Sequence, residues 1–172
     1  PTKTASDRLN KLVAKNLTFH YPDSTNGVED INVHLKCNTL TVVTGRIGSG
    51  KTTLLRAMLG LLPLESGEIL WNENVLMSPG DFFVPPRCSY TAQVPRLFSN
   101  TLRNNILLGL NRSDDEIYKA TKLAVMDRDL EQLDDDLETM VGARGVNLSG
   151  GQAQRTAAVR MFIREPELVV FD

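Results

Sequence analysis

Gly45-Arg-Ile-Gly-Ser-Gly-Lys-Thr52 is the stretch that most narrows what this chain can fold into. It follows a short β-branched run, Leu40-Thr-Val-Val-Thr44, and precedes a segment in which Leu54, Leu55, Met58 and Leu59 recur at helical spacing. A strand that enters a glycine-rich turn and leaves it as a helix is therefore expected across residues 40–59. Glycine lets the backbone wrap closely, so the N–H groups of Gly45, Arg46, Ile47, Gly48, Ser49 and Gly50 converge on a small anion. The helix that starts there adds the partial positive charge of its N-terminus. In the pattern G-x-x-x-x-G-K-[ST], Lys51 reaches the β- and γ-phosphates of a nucleotide. The Thr52 hydroxyl reaches Mg²⁺, with Thr53 beside it.

Around this loop, strand and helix patterns alternate. Leu12 to Phe19 partly alternates and reads as a strand, Tyr21 to Gly27 as a turn, and Ile31 to Leu35 as a half-buried strand. Gly67 to Trp71 reads as a strand, residues 78–88 as Pro-rich and irregular, and Ser89 to Gln93 as a short strand. Asp114 to Met126 reads as a helix that Ser113 caps, with Glu116 placed for a capping box. Asp134-Asp135-Asp136 reads as a solvated turn. Ser149 caps a long helix running to Arg164 and ended by Pro166, and Leu168 to Phe171 reads as a buried strand. Residues 1–10 are polar and read as a linker. Such alternation predicts an α/β fold with a mainly parallel central sheet.

Composition removes several function classes. The 172 residues are 41% apolar and 23% charged, enough to bury a core without disulfides or metal. A net charge of −2 argues against a partner bound through its phosphate backbone, so no nucleic acid is expected. No apolar run reaches the ~18 residues of a membrane span, and a soluble chain is expected. Cys37 and Cys88 are expected as buried, reduced thiols, and neither His20 nor His34 has ligand spacing.

Two further features face the same chemistry. Leu148-Ser-Gly-Gly-Gln152 opens a helix with a hydroxyl and exposed backbone, a second anion-facing N-terminus. Asp172 ends the last strand, where an acid points into the ligand crevice of α/β sheets.

Taken in order, these residues resemble the nucleotide-binding domain of ATP-binding cassette (ABC) proteins, over about residues 11–172. Gly45–Thr52 is similar to that family's Walker A motif, and Leu148–Gln152 matches its signature sequence letter for letter. Gln93, in Tyr90-Thr-Ala-Gln-Val-Pro-Arg-Leu-Phe98, resembles the Q-loop glutamine, and Asp172 the Walker B aspartate. Tyr21 resembles the aromatic that stacks on adenine, with Phe19 as the fallback. Phe98-Ser-Asn-Thr-Leu-Arg-Asn-Asn-Ile106 and Val141-Gly-Ala-Arg-Gly-Val-Asn147 resemble exporters.

The resemblance implies a P-loop NTPase-like core with an antiparallel β subdomain and a helical signature subdomain. It implies ATP and Mg²⁺ as cofactors, with Thr52, Gln93 and Asp172 at the metal. Lys51, Gln93 and Asp172 would serve catalysis. Ser149, Gly150, Gly151 and Gln152 would meet the γ-phosphate held by the Lys51 of a second domain in a head-to-tail dimer. A transmembrane domain fused upstream is implied, at the cytoplasmic face of a membrane. The closing run Glu167-Leu-Val-Val-Phe-Asp172 suggests a piece of a longer polypeptide. The family's catalytic glutamate, dimer-contact loop and switch histidine would follow it, so a fragment ending here is expected to bind Mg-ATP but hydrolyse it weakly. Three readings stay open: an exporter motor, a non-hydrolysing ATP clamp, and a soluble ABC ATPase.

Overall fold

In the computed structural model, which describes residues 3–143 and 145–172, the chain divides into two units. One contains the chain up to Ser89 together with Asp172, the other Tyr90–Phe171.

The first unit is built on a four-stranded antiparallel sheet. Its strands are β1 (Lys11–His20), β2 (Gly27–Lys36), β3 (Ser66–Trp71) and β4 (Asn74–Val75), in the order β2-β1-β3-β4. The partial alternation of β1 has a physical cause. Leu12 and Ala14 point to the core, and then the parity switches to Leu17 and Phe19. Register shifts against both β2 and β3 fall between the two pairs, where Asn16 takes a positive φ of 50°. An extra residue flips the side-chain phase, so the bulge returns both apolar pairs to the interior. Gly67, at φ 101°, faces this bulge; a Cβ there would lie 2.6 Å from the Asn16 carbonyl oxygen.

Helix α1 (Lys51–Met58) buries Leu54, Ala57 and Met58 and packs on β1 and β2. The segment before it departs from expectation. Leu40–Thr44 forms no strand, and Leu40 and Val42 are 90% and 69% exposed. A β-branched run becomes a strand only where a neighbour completes its hydrogen-bond ladder. No described residue pairs with this one.

Three smaller differences follow from local contacts. The Pro-rich stretch contains a short helix, α2 (Pro79–Phe82), with proline in its first turn. The expected linker includes a 3-10 turn, Ala5–Asp7, capped by Thr4. Its Asp7 is buried, receives the Arg87 Nε–H at 2.7 Å, and is held below the usual carboxylate range, chiefly by Thr4. Cys37 is exposed in the turn after β2, against the expectation of two buried thiols. Cys88 is buried, which pushes its thiol up to about 12.

The second unit is mainly helical. Strand β5 (Cys88–Thr91) leads into it, followed by β6 (Asn100–Thr101), α3 (Leu102–Leu107), α4 (Asp114–Leu123), α5 (Asp127–Leu130), β7 (Met140–Val141), α6 (Gly150–Phe162) and β8 (Leu168–Phe171). β5 pairs with β8, and β6 pairs antiparallel with β7. Helix α6 packs on α3 and α4 around Leu102, Ile106, Ile117, Met126 and Val159. The Ser113–Glu116 capping box forms as expected, and α4 stops at Leu123. Strand β8 is half-buried rather than buried, with Phe171 53% exposed. Asp136 accepts the Tyr118 hydroxyl at 2.7 Å, and no metal-binding cluster occurs among the described residues. Arg144, in the stretch before the signature, lies outside them. Among the described residues no helix is long and apolar enough to cross a membrane.

Candidate functional site

In the first unit the glycine-rich loop turns tightly, with Ser49 N–H donating to the Arg46 carbonyl at 3.2 Å. Gly48 and Gly50 adopt left-handed φ values of 80° and 86°. At Gly50 a second constraint adds to the first. A Cβ would lie 3.0 Å from the Gly27 carbonyl oxygen and 3.1 Å from Val28 Cγ1, so the loop seats closely on β2. Arg46, Ile47, Gly48 and Ser49 are exposed.

The first turn of α1 then gathers the polar groups. Lys51 Nζ donates to the carbonyls of Gly45 and Arg46 at 3.0 and 2.8 Å, arching back over the loop. Thr52 Oγ1 donates to Asp172 Oδ1 at 2.6 Å. Thr53 is buried, and its Oγ1 lies 3.3 Å from the Tyr21 hydroxyl. Phe19 is core, 5% exposed, and packs edge-on to Tyr21 with centroids 5.0 Å apart. Tyr21, 38% exposed, is therefore the ring of the two that is offered to solvent. Loop N–H groups, a helix N-terminus and an ammonium are the groups here that could hold an anion. The hydroxyl and carboxylate oxygen beside them form a donor pair that fits a hard cation such as Mg²⁺.

In the second unit Ser149 caps α6 reciprocally. Its Oγ accepts the Gln152 N–H at 3.2 Å, and Gln152 Oε1 accepts the Ser149 N–H at 2.9 Å. The signature glycines differ. A Cβ on Gly150 would meet nothing within 4 Å, whereas one on Gly151 would lie 3.2 Å from Arg155 Nη1. Gln93 is exposed, and its backbone carbonyl accepts the Gln154 Nε2–H at 3.3 Å, tying the loop to α6.

Two clusters here escaped the sequence reading. Asn105 is fully buried. Its amide accepts the Phe98 N–H at 2.8 Å and donates to the Phe98 and Thr101 carbonyls at 2.9 and 3.0 Å. Arg160 Nη2 donates to the same amide oxygen at 2.7 Å and Arg160 Nη1 to the Arg96 carbonyl at 2.8 Å, fastening residues 96–101 to α6. Burial lowers the Arg160 pKa from its ordinary value. The second cluster is Asp129 and Arg155, joined through Nε at 2.5 Å and Nη2 at 2.8 Å. The available signal was Asn105 itself, a polar residue on the apolar stripe of Leu102 and Ile106.

The sequence model of a family described as ABC transporter matches residues 28–172, leaving Tyr21 outside the matched range. A Rickettsia bellii protein described as an export ATP-binding/permease protein is 32% identical over 165 residues, 94% of this chain and 28% of its own length. A Bacillus subtilis protein named for multidrug resistance, also an ATP-binding/permease protein, is 34% identical over 163 residues, again 94% and 28%. The chain thus spans 28% of the length of these relatives. A solved structure of a bacterial Atm1-family ABC exporter with ATP bound superposes with a TM-score of 0.84. That match has 24% identity and covers 95% of this chain and 29% of the exporter chain, a likeness of fold.

Proposed function

The chain belongs to the ABC transporter family, and we propose that it is the nucleotide-binding motor of an exporter, binding Mg-ATP and hydrolysing it as a head-to-tail dimer. The observation that carries this reading is the 2.6 Å hydrogen bond from Thr52 Oγ1 to Asp172 Oδ1. It joins the residue after the loop lysine to the acid at the end of the last strand, two oxygens of the kind Mg²⁺ takes from a protein. Thr52 and Asp172 would hold Mg²⁺, which would supply charge neutralisation to the phosphates.

The rest follows from the chain's own groups. Lys51 exchanges the Gly45 and Arg46 carbonyls for phosphate oxygens, whose negative charge makes them stronger acceptors for the ammonium. The N–H groups of Gly45–Gly50 and the start of α1 hold the phosphates, and the Tyr21 ring stacks on the base. The open space at Gly150 lets the Ser149 hydroxyl and the first-turn N–H groups of α6 approach the γ-phosphate held by a second domain. Dimer closure would move a transmembrane domain carried on the same polypeptide, at the cytoplasmic face of a membrane. The names of the relatives, export and multidrug resistance proteins with a permease part, support that partner.

The test is ATP hydrolysis by the full-length polypeptide carrying this chain. Lys51→Ala and Ser149→Arg should each abolish turnover, and a mixture of the two variants should recover it, because mixed dimers regain one intact composite site. Full turnover by Ser149→Arg alone would overturn the head-to-tail site. Turnover that does not depend on Lys51 would overturn the motor reading.

A further inference from the structure

The capping box at Ser149 carries a glutamine, although a charged glutamate at the same position interacts better with a helix N-terminus. Its surroundings give a reason. Asp129, 9% exposed, stands beside the opening of α6 with its carboxylate on Arg155, which chiefly holds that carboxyl below its ordinary range, with a smaller contribution from the nearby Gln152 amide. Gln152 Oε1 is committed to the Ser149 N–H, so the amide nitrogen is the end left for Asp129. A glutamate at 152 would set a second carboxylate against the first in a poorly solvated site.

We propose that Asp129 is a positioning residue for the signature turn. It holds Arg155 by two hydrogen bonds and orients the Gln152 amide, so that Ser149 and the first N–H groups of α6 face an approaching phosphate in one geometry. The inference rests on the motor reading above.

Arg155 is not a phosphate ligand in this arrangement, because Nε and Nη2 are both engaged by Asp129. Its third nitrogen lies against the underside of the turn, 3.2 Å from where a Gly151 Cβ would be. A side chain at Gly151 would therefore press on the guanidinium, which would have to yield by a few tenths of an ångström. Gly150 faces open space, and its lack of a side chain serves whatever approaches from outside. Asp129 holds Arg155, which follows Gln152 in the opening turns of α6, so one carboxylate on α5 bears on the signature turn from a neighbouring helix.

The experiment compares wild type, Asp129→Asn, Arg155→Lys and the double variant Asp129→Asn/Gln152→Glu in the full-length polypeptide. It reads kcat and KM for ATP, together with amide hydrogen exchange across residues 149–152. Asp129→Asn should lower kcat roughly tenfold or more, the loss expected for charge-assisted hydrogen bonds. KM should hold within about twofold, because Lys51 and Tyr21 are untouched, and exchange in the turn should quicken by a factor like that in kcat. Arg155→Lys, which keeps the charge but not the two-pronged contact, should fall in the same direction by less. The double variant restores one carboxylate and one amide to the pair and should recover most of the lost kcat. Unchanged kcat in Asp129→Asn, faster exchange without a fall in kcat, or no recovery in the double variant would overturn the proposal while leaving the motor reading intact. Absence of Lys51-dependent turnover in wild type would instead remove the motor reading, and this inference with it.

Discussion

Asn105→Ala should be among the most damaging single changes in the second unit. The side chain is fully buried and makes four bonds of good length: two to Phe98, one to the Thr101 carbonyl, and one from Arg160 Nη2. Truncation leaves each of those partners short. Three neutral bonds at about 1 kcal/mol each, and a charged one at about 1.5 kcal/mol, sum to about 4.5 kcal/mol. Alanine regains about 0.5 kcal/mol in helix propensity within α3, for a net loss of about 4 kcal/mol. Arg160 keeps its bonds to the Asn105 and Arg96 carbonyls, so the guanidinium is weakened in its seat rather than stranded. Urea unfolding followed by circular dichroism measures the loss directly. The exposed pair Lys11–Glu73 provides the control, and Glu73→Ala should leave the midpoint where it was. A loss under about 1 kcal/mol for Asn105→Ala would refute the reasoning, because it would mean water or a rotated neighbour satisfies every orphaned group.

Two further outcomes are expected. Gly50→Ala should cost about 1–3 kcal/mol and weaken ATP binding together, because its left-handed φ and its approach to Gly27 both exclude a Cβ; a variant as stable as wild type would contradict this. Arg155 holds the Asp129 carboxyl below its ordinary value of 3.8, so the stability it contributes is complete above that value and is lost as pH falls through the lowered native value. The gap in thermal midpoint between wild type and Asp129→Asn should therefore be constant down to about pH 5 and close in stronger acid, and a gap that persists at about pH 2 would count against it.

What the sequence made legible is mostly local chemistry. The glycine-rich turn, the start of α1 and the caps at Ser113 and Ser149 are written in residues only a few positions apart, and the structure forms each of them. β1 was legible as a strand but not as a bulged one, since its broken alternation only acquires meaning once Asn16 is seen to switch the phase. Leu40–Thr44 shows the opposite failure. Its composition favours a strand, but strand formation is a property of a pair, and no described residue supplies the partner. Asp129, Arg155 and Arg160 were invisible for a related reason, and Asn105 stood out only as a polar residue on an apolar stripe. Each is a common polar residue whose role comes from contacts made far along the chain, such as Arg160 with Asn105 and Arg155 with Asp129. Cys37 was misplaced because thiol burial is a tendency of the residue type, and its position in a turn outweighs that tendency.

Titration of ATP into this chain by calorimetry, with and without Mg²⁺, tests the central claim most directly, using wild type, Lys51→Ala and Thr52→Val. One site per chain is expected, whose affinity falls in Lys51→Ala and whose dependence on Mg²⁺ disappears in Thr52→Val because the hydroxyl beside Asp172 is gone. Absence of binding by wild type, or equal binding by all three proteins, would contradict it.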